Sequence, residues 1–383
     1  MTLKLALLAG EPSGDNLGAG VMRALREQTA DIEFIGIGGD AMLAAGLQPL
    51  ASIEALSVNG FKEPILRFPS LLSLLRRLVR EIEAAQVDAF LGIDFNVFNF
   101  LLERALKKRG VRTAHYVSPS VYAWRAGRIN KVARSTDLLL CLYPFEPAFY
   151  AHTAVDARFI GHPLADEIGP DAGNARARAA ARADLGIADE PVVLAVLPGS
   201  RGSEVNLMAD AFLGAAHGFA ERNPRDVVVV VPCPRPKLKV LMQSKMSARS
   251  DLPRVILHEG NARLPLLAAD LALVKSGTST LEAMLLHRPM VVSYKLGAMT
   301  YALVKRLVNT PYVALPNILA GEALVPELLQ DDATAEALSA ALVEQAGATR
   351  GSEVEARFAG LHAQLRRGAD GQAASAVLEL MRR

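Results

Sequence analysis

Short apolar runs that close on a glycine-containing or polar turn and lead into a helical pattern recur along this chain. That repeat limits the fold more than any other feature. In the first half, residues 3–9 run into GEPSGD, 34–37 into GGDAM, 89–93 into DFNVFN and 113–117 into SPSVYAW, with 138–142 and 157–160 as further strands. The pattern restarts with 192–197 into PGSRGSEV, 227–231 into PCPRP, 255–257, 271–274 into a Ser-Gly-Thr-Ser-Thr turn, and 290–294. Alternating strands and helices imply parallel sheets wound on both faces, whose ligands lie beyond the carboxyl ends of the strands. At 383 residues the chain exceeds one comfortable hydrophobic core, so it is expected to form two doubly wound, Rossmann-like α/β domains facing a cleft. The expected domains are 1–170 and 171–356, meeting in the Gly-, Ala- and charge-rich stretch 171–185. A helical tail, 357–383, packs back on the first domain, with Asp370 as the cap of its last segment.

Composition narrows the class. Hydrophobic residues make up 51%, yet no apolar run approaches the roughly 18 residues that span a bilayer. The opening MTLKLALLAGEPSGD reads as a first strand, because an acidic glycine turn stands where a leader would carry its small-residue cleavage site. Cys141 and Cys233 are too few for a disulfide framework or a zinc site and fit a reducing cytoplasm. With 42 basic and 40 acidic residues, no overall field favours nucleic acid, and only local clustering can mark a partner.

The turn in ALVKSGTSTLEAM, residues 272–284, is a candidate anion seat. The first amides of a helix lack intrahelical partners, so a phosphate can accept from them and from Ser276, Gly277, Thr278, Ser279 or Thr280, with Glu282 placed to accept from a neighbouring sugar hydroxyl. The plainer reading is an ordinary capped helix. In PGSRGSE, Ser200 and Arg201 suit a diphosphate clamp, since a guanidinium fork between glycines matches phosphate oxygens; the alternative is a surface pair of Arg201 with Glu204. The GEPSGD loop, with Glu11, Ser13, Gly14 and Asp15, lacks the Lys-Ser/Thr pair of a Walker loop and the GxGxxG of a dinucleotide fingerprint. It faces the expected cleft as a substrate contact, or serves as a tight turn capped by Ser13 or Asp15. Asp94 ends a buried strand between apolar neighbours, where lost hydration suits a carboxylate to general-base work; the alternative is a helix cap. His115 is the rival base, or a core histidine. Asn317, a polar residue in an apolar loop, is a turn former or a contact to an acceptor sugar.

The segment 65–82, ILRFPSLLSLLRRLVREI, carries an apolar stripe with basic flanks, and Ser70 after Pro69 offers a helix start. Such a helix is either a core element or a face lying on an anionic membrane. The crowded connection before it favours docking through Phe61, Lys62, Ile65, Leu66, Phe68, Leu71, Leu72, Leu75, Arg76 and Arg77.

Taken together, GEPSGD, GIDFNVFN, HYVSPSVYAWR, FIGHPLAD, LPGSRGSEV, SGTSTLEAM and PNILAGE resemble the lipid-A-disaccharide synthase family, bacterial glycosyltransferases of the two-domain B-type fold. The resemblance implies transfer of 2,3-diacylglucosamine from UDP-2,3-diacylglucosamine to 2,3-diacylglucosamine 1-phosphate (lipid X), with inversion, no cofactor and no metal. It implies Asp94 as catalytic base, Arg201 and Glu282 as UDP contacts, Asn317 as a further residue tied to activity, a peripheral position on the cytoplasmic side of the inner membrane, and a homodimer. The chain departs from the family's pattern at Lys275, before the SGT turn, and at Phe95-Asn96. Lys275 adds a phosphate contact or points away. Two other readings stand beside this one: a UDP-N-acetylglucosamine 2-epimerase, and a non-catalytic membrane protein that senses a sugar nucleotide.

Overall fold

The computed structural model describes residues 2–56, 63–121, 127–297 and 310–383, leaving aside the side chains of 63–68. The chain divides into two compact units, Met1–Asp166 with Leu365–Arg383, and Glu167–Gln364. The first boundary falls four residues before the expected 170/171 and the second eight after the expected 356/357.

The first unit runs β1 (Leu3–Ala9), α1 (Pro12–Gln28), β2 (Ile32–Ile37), α2 (Asp40–Ala44), β3 (Gln48–Pro49), α3 (Glu63–Ala84), β4 (Ala89–Ile93), α4 (Asn96–Lys107), β5 (Arg112–Tyr116), α5 (Gly127–Ser135), β6 (Leu138–Cys141), β7 (Asp156–Phe159) and α6 (Pro163–Glu167). Its seven strands pair in the order β3-β2-β1-β4-β5-β6-β7, every pair parallel. Strands buried on both faces need continuous apolar runs, and β1, β4 and β6 supply them.

The second unit runs α7 (Ala175–Asp184), β8 (Val192–Leu197), α8 (Gly202–Arg222), β9 (Val227–Pro232), α9 (Pro236–Ser247), β10 (Arg254–His258), α10 (Arg263–Ala268), β11 (Leu271–Lys275), α11 (Thr278–Leu285), β12 (Met290–Tyr294), α12 (Leu315–Ala320), β13 (Glu327–Leu329), α13 (Ala335–Gln345) and α14 (Ala348–Leu365). Its parallel sheet is ordered β10-β9-β8-β11-β12-β13. The same winding therefore occurs twice, with the order reversing between β1 and β4 in one unit and between β8 and β11 in the other.

The last helix, α15 (Ala369–Arg382), belongs to the first unit. Ala373, Ala374, Val377, Leu378 and Met381 enter the core that β1, α1 and β4 share. Asp166, not the expected Asp370, caps its start, accepting from the Gly368 and Ala369 amides at 2.9 and 2.6 Å. Asp370 instead lies against Gly20, where a Cβ would overlap its carboxyl group.

Helix α3 starts at Glu63 and continues through Pro69, earlier than the Ser70 start expected. Leu78, Val79 and Ile82 are buried in a core with Phe90 and Phe98, and Leu71, Leu74 and Leu75 pack against it. Among the described residues, no helix is long and apolar enough to cross a membrane.

Candidate active site

In doubly wound sheets, ligands sit where the strand order reverses, and both reversals here carry the motifs singled out in sequence. In the first unit Ala9 pairs with Ile93, so the GEPSGD loop and Asp94 leave adjacent strand ends. A Cβ on Gly10 would overlap the Phe95 ring, and one on Gly14 would lie 3.4 Å from the Ile93 carbonyl. Glu11 is the backbone N-cap of α1 and Pro12 its first residue, a position where a missing N–H costs nothing. Glu11 and Ser13 are exposed beside this edge and Gly14 is buried in it. Asp15 differs from the expected substrate contact. It is 7% exposed, and its carboxylate accepts from the Gly39, Ala41 and Met42 amides at 2.7, 3.0 and 3.0 Å, so it caps α2.

Asp94 and Phe95 both adopt left-handed backbone, with φ 46° and 45°, a conformation costing a non-glycine residue about 1–3 kcal/mol. The Asp94 amide donates to the Tyr116 carbonyl at 2.9 Å, and Asn96 Nδ2 donates to Asp94 Oδ1 at 3.1 Å. Asp94 is half-buried. His115, the rival base, is 0% exposed. Its Nδ1 lies 2.6 Å from Glu103 Oε1, Thr136 Oγ1 donates to Glu103 Oε2 at 2.7 Å, and the Phe100 ring stacks on the imidazole at 4.3 Å. A base needs reach to its proton, so His115 is the core histidine of the two readings.

Sequence reasoning passed over Glu146, in the loop after β6. The residue is 2% exposed and accepts from the Tyr143 amide at 3.0 Å. Burial pushes its carboxyl up to about 8, against hydrogen bonds from the Tyr143 and Leu142 amides and the Ser118 hydroxyl. Nothing in PFEP signals that burial.

In the second unit Leu197 pairs with Val274, bringing the PGSRGSE and SGTST turns to adjacent strand ends. Glu204, in the first turn of α8, organises them. Its Oε2 accepts from the Ser200 and Arg201 amides at 3.0 and 3.3 Å, and its Oε1 accepts from Lys275 Nζ at 3.0 Å. Burial opposes its ionisation, but the Lys275 hydrogen bond and charge and the two amides outweigh it and hold the carboxyl below the usual range. Lys275 thus neither points away nor stands apart as a phosphate contact: it lies 4.6 Å from the Tyr294 ring centre and fastens Glu204. Gly199, at φ 134°, leaves the space a Cβ would take from Glu204. The Arg201 side chain is 77% exposed, with only a 3.8 Å approach to Glu204, so the guanidinium reaches solvent.

Gly277 begins α11 at φ 155° without a side-chain cap. Two of the hydroxyls are bonded to backbone, Ser276 Oγ to the Val313 carbonyl at 3.0 Å and Thr280 Oγ1 to the Gly277 carbonyl at 2.7 Å. Thr278 is exposed and Ser279 half-buried at the mouth of the turn. Glu282 Oε1 accepts from Arg263 Nε at 2.6 Å, a pairing no sequence signal announced. Asn317 is 0% exposed; its Nδ2 donates to the Val325 carbonyl and to Glu327 Oε1 at 2.9 and 2.8 Å, and its Oδ1 accepts from the Val325 amide at 2.8 Å. Its amide is given over to the loop that leads into β13, which is the turn-forming reading and not the sugar contact. Among the described residues, no group of three or more His, Cys, Asp and Glu side chains converges to hold a metal ion.

Of the segment expected to dock on a membrane, Phe61 and Lys62, and the side chains of Ile65, Leu66 and Phe68, lie outside the described residues. Leu71 and Leu75 lean on the core, a correction to their place on the docking face. Leu72 is 37% exposed, Arg76 is exposed, and Arg77 donates to the Leu50 carbonyl at 3.2 Å.

The sequence model of lipid-A-disaccharide synthetase matches residues 5–377. The chain is 49% identical to the lipid-A-disaccharide synthase of Xanthomonas campestris pv. campestris (strain 8004), covering 99% of this chain and 86% of that one. It is 46% identical to that of Azotobacter vinelandii (strain DJ / ATCC BAA-1303), covering 100% and 99%. Among solved structures it resembles the glycotransferase of kitacinnamycin at 17% identity, TM-score 0.64 and full coverage of both chains. It also resembles a UDP-GlcNAc 2-epimerase from Neisseria meningitidis bound to UDP-GlcNAc, at 12% identity, TM-score 0.61 and 99% coverage of each. At these identities the structures speak to the fold alone, the two-domain architecture that glycosyltransferases and epimerases share.

Proposed function

The chain belongs to the lipid-A-disaccharide synthase family, and on that premise we propose how its residues carry out the transfer. The enzyme is a glycosyltransferase that moves 2,3-diacylglucosamine from UDP-2,3-diacylglucosamine to 2,3-diacylglucosamine 1-phosphate, giving the β-1,6-linked disaccharide 1-phosphate and UDP. The family match over residues 5–377 carries this conclusion.

An α-linked donor becoming a β-glycoside inverts the anomeric carbon, which single displacement achieves. Asp94 takes the proton of the acceptor hydroxyl, the oxygen attacks the anomeric carbon, and the bond to the UDP oxygen breaks as the new one forms. Glu11, Ser13 and Gly14, at the same edge as Asp94, contact the acceptor. In the second unit, charge develops on the departing diphosphate. Arg201, the Ser200 side of its loop, and the amides and hydroxyls at Gly277, Thr278 and Ser279 meet that charge, while Glu282, steadied by Arg263, accepts from the ribose. Glu204 and Lys275 shape the Ser200–Arg201 loop.

Because both sugars carry acyl chains, the enzyme works at the inner-membrane surface as a peripheral protein, with Leu72 and Arg76 on the outward side of α3. It acts as a homodimer, which sedimentation equilibrium tests. Incubation with both diacyl sugars, followed by mass spectrometry, tests the reaction. A tetraacyl disaccharide phosphate supports it; conversion of UDP-N-acetylglucosamine without an acceptor would favour the epimerase.

A further inference from the structure

We propose that Asn99 is a positioning residue for the transfer: its buried carboxamide holds the left-handed Asp94–Phe95 turn that aims the base. The inference rests on Asp94 being that base. Two consecutive non-glycine residues in left-handed backbone do not persist unless surrounding contacts over-determine them. Beside the Tyr116 carbonyl and Asn96, one buried side chain supplies several of these contacts. Asn99 Nδ2 donates to the Asp94 carbonyl at 2.8 Å and reaches the Ile93 and Leu8 carbonyls at 3.3 Å, so it ties β1, the end of β4 and the turn together. The Asn99 amide also donates to the Phe95 carbonyl at 3.2 Å.

The rest of the pocket fits that task. Asn99 is 0% exposed, and its Oδ1 is buried with no hydrogen-bond partner among the described residues. Burying an unmade acceptor is unfavourable, and reversing the amide would set that oxygen against three carbonyl oxygens. The side chain therefore acts as a donor and not as filler. Gly92 opens the space, since a Cβ there would lie 3.1 Å from Asn99 Cβ and overlap Glu103. Gly10 lets the Phe95 ring lie across the end of β1. Asn99 is bonded to the Asp94 backbone carbonyl; the hydrogen bond to the carboxylate comes from Asn96.

A double-mutant cycle on the full-length enzyme tests this, with turnover read by mass spectrometry of the disaccharide product and folding by thermal unfolding. Asn99→Ala is expected to lower kcat about 10–100-fold, as small misplacements of a reacting group do, while both KM values and the Kd of UDP stay within about threefold. Asn99→Ser, keeping one donor, should fall between wild type and Asn99→Ala, and it carries the test if the alanine variant does not fold. In the Asp94→Ala background the Asn99 substitution should cost no further turnover, because nothing is left to aim. Unchanged kcat in folded Asn99→Ala, or the same fractional loss repeated on Asp94→Ala, would overturn the role of Asn99 alone. Near wild-type turnover in Asp94→Ala would sink the base assignment and this inference with it.

Discussion

Glu146 sits among the strand ends of the first unit with its carboxyl pushed up to about 8 by burial. A carboxyl whose folded-state value lies above its unfolded one binds more protons when folded, so stability falls as pH rises from the ordinary carboxylate range to about 8 and levels off beyond it. Glu146→Gln keeps the shape without the titration. Its unfolding free energy, compared with wild type across pH 5 to 9, should show an advantage that grows to a few kcal/mol at the alkaline end; parallel profiles would count against it. Asn317→Ala is expected to lose about 1–3 kcal/mol of stability, since it strands the Val325 amide and removes one donor from Glu327, with UDP affinity unchanged in the folded protein. Glu204→Ala should act the other way round, weakening UDP binding about tenfold by calorimetry, because the Ser200 and Arg201 amides and Lys275 lose their common anchor. Strand ends made the positions of Asp94 and Arg201 readable from sequence, since the ends of parallel strands form the ligand-facing edge of a doubly wound sheet. The work of Asn317 and Asp15 was not readable, because their partners lie 8 to 27 residues away, around the start of α2 and the approach to β13.

At the level of elements, α3 is core on one side and open on the other. The side of Leu78, Val79 and Ile82 is core, and the side of Leu72 and Arg76 faces outward. Leu78→Ala should cost about 2–5 kcal/mol in denaturant unfolding. Leu72→Ser with Arg76→Ser should leave unfolding nearly unchanged yet reduce sedimentation with anionic vesicles; equal sedimentation would remove α3 from the docking face. Long apolar strands such as β1, β4 and β8 announced themselves, whereas β3 and β13 did not. Gln48–Pro49 is a two-residue edge strand and Glu327–Leu329 a three-residue one, too short for any periodicity to register. Pro69 likewise suggested a helix boundary that the chain passes through, because a proline weighs against a helix interior without forbidding it.

Across the whole molecule, one winding made twice gives two edges with different chemistry: a carboxylate in a strained turn on one sheet, and amides, an exposed guanidinium and a paired glutamate on the other. Alternation along the sequence made both sheets readable, and the tail was expected to return to the first unit; the residues it meets there, some 200 to 350 positions away, were not readable. Removal of 366–383 should leave the first-unit core open and yield insoluble protein on expression. The division of labour between the edges is tested most directly by Asp94→Asn. Folded variant protein should bind UDP with wild-type affinity and form the tetraacyl disaccharide phosphate about 10²–10⁴-fold more slowly than wild type, by mass spectrometry. Product at close to the wild-type rate would contradict the account.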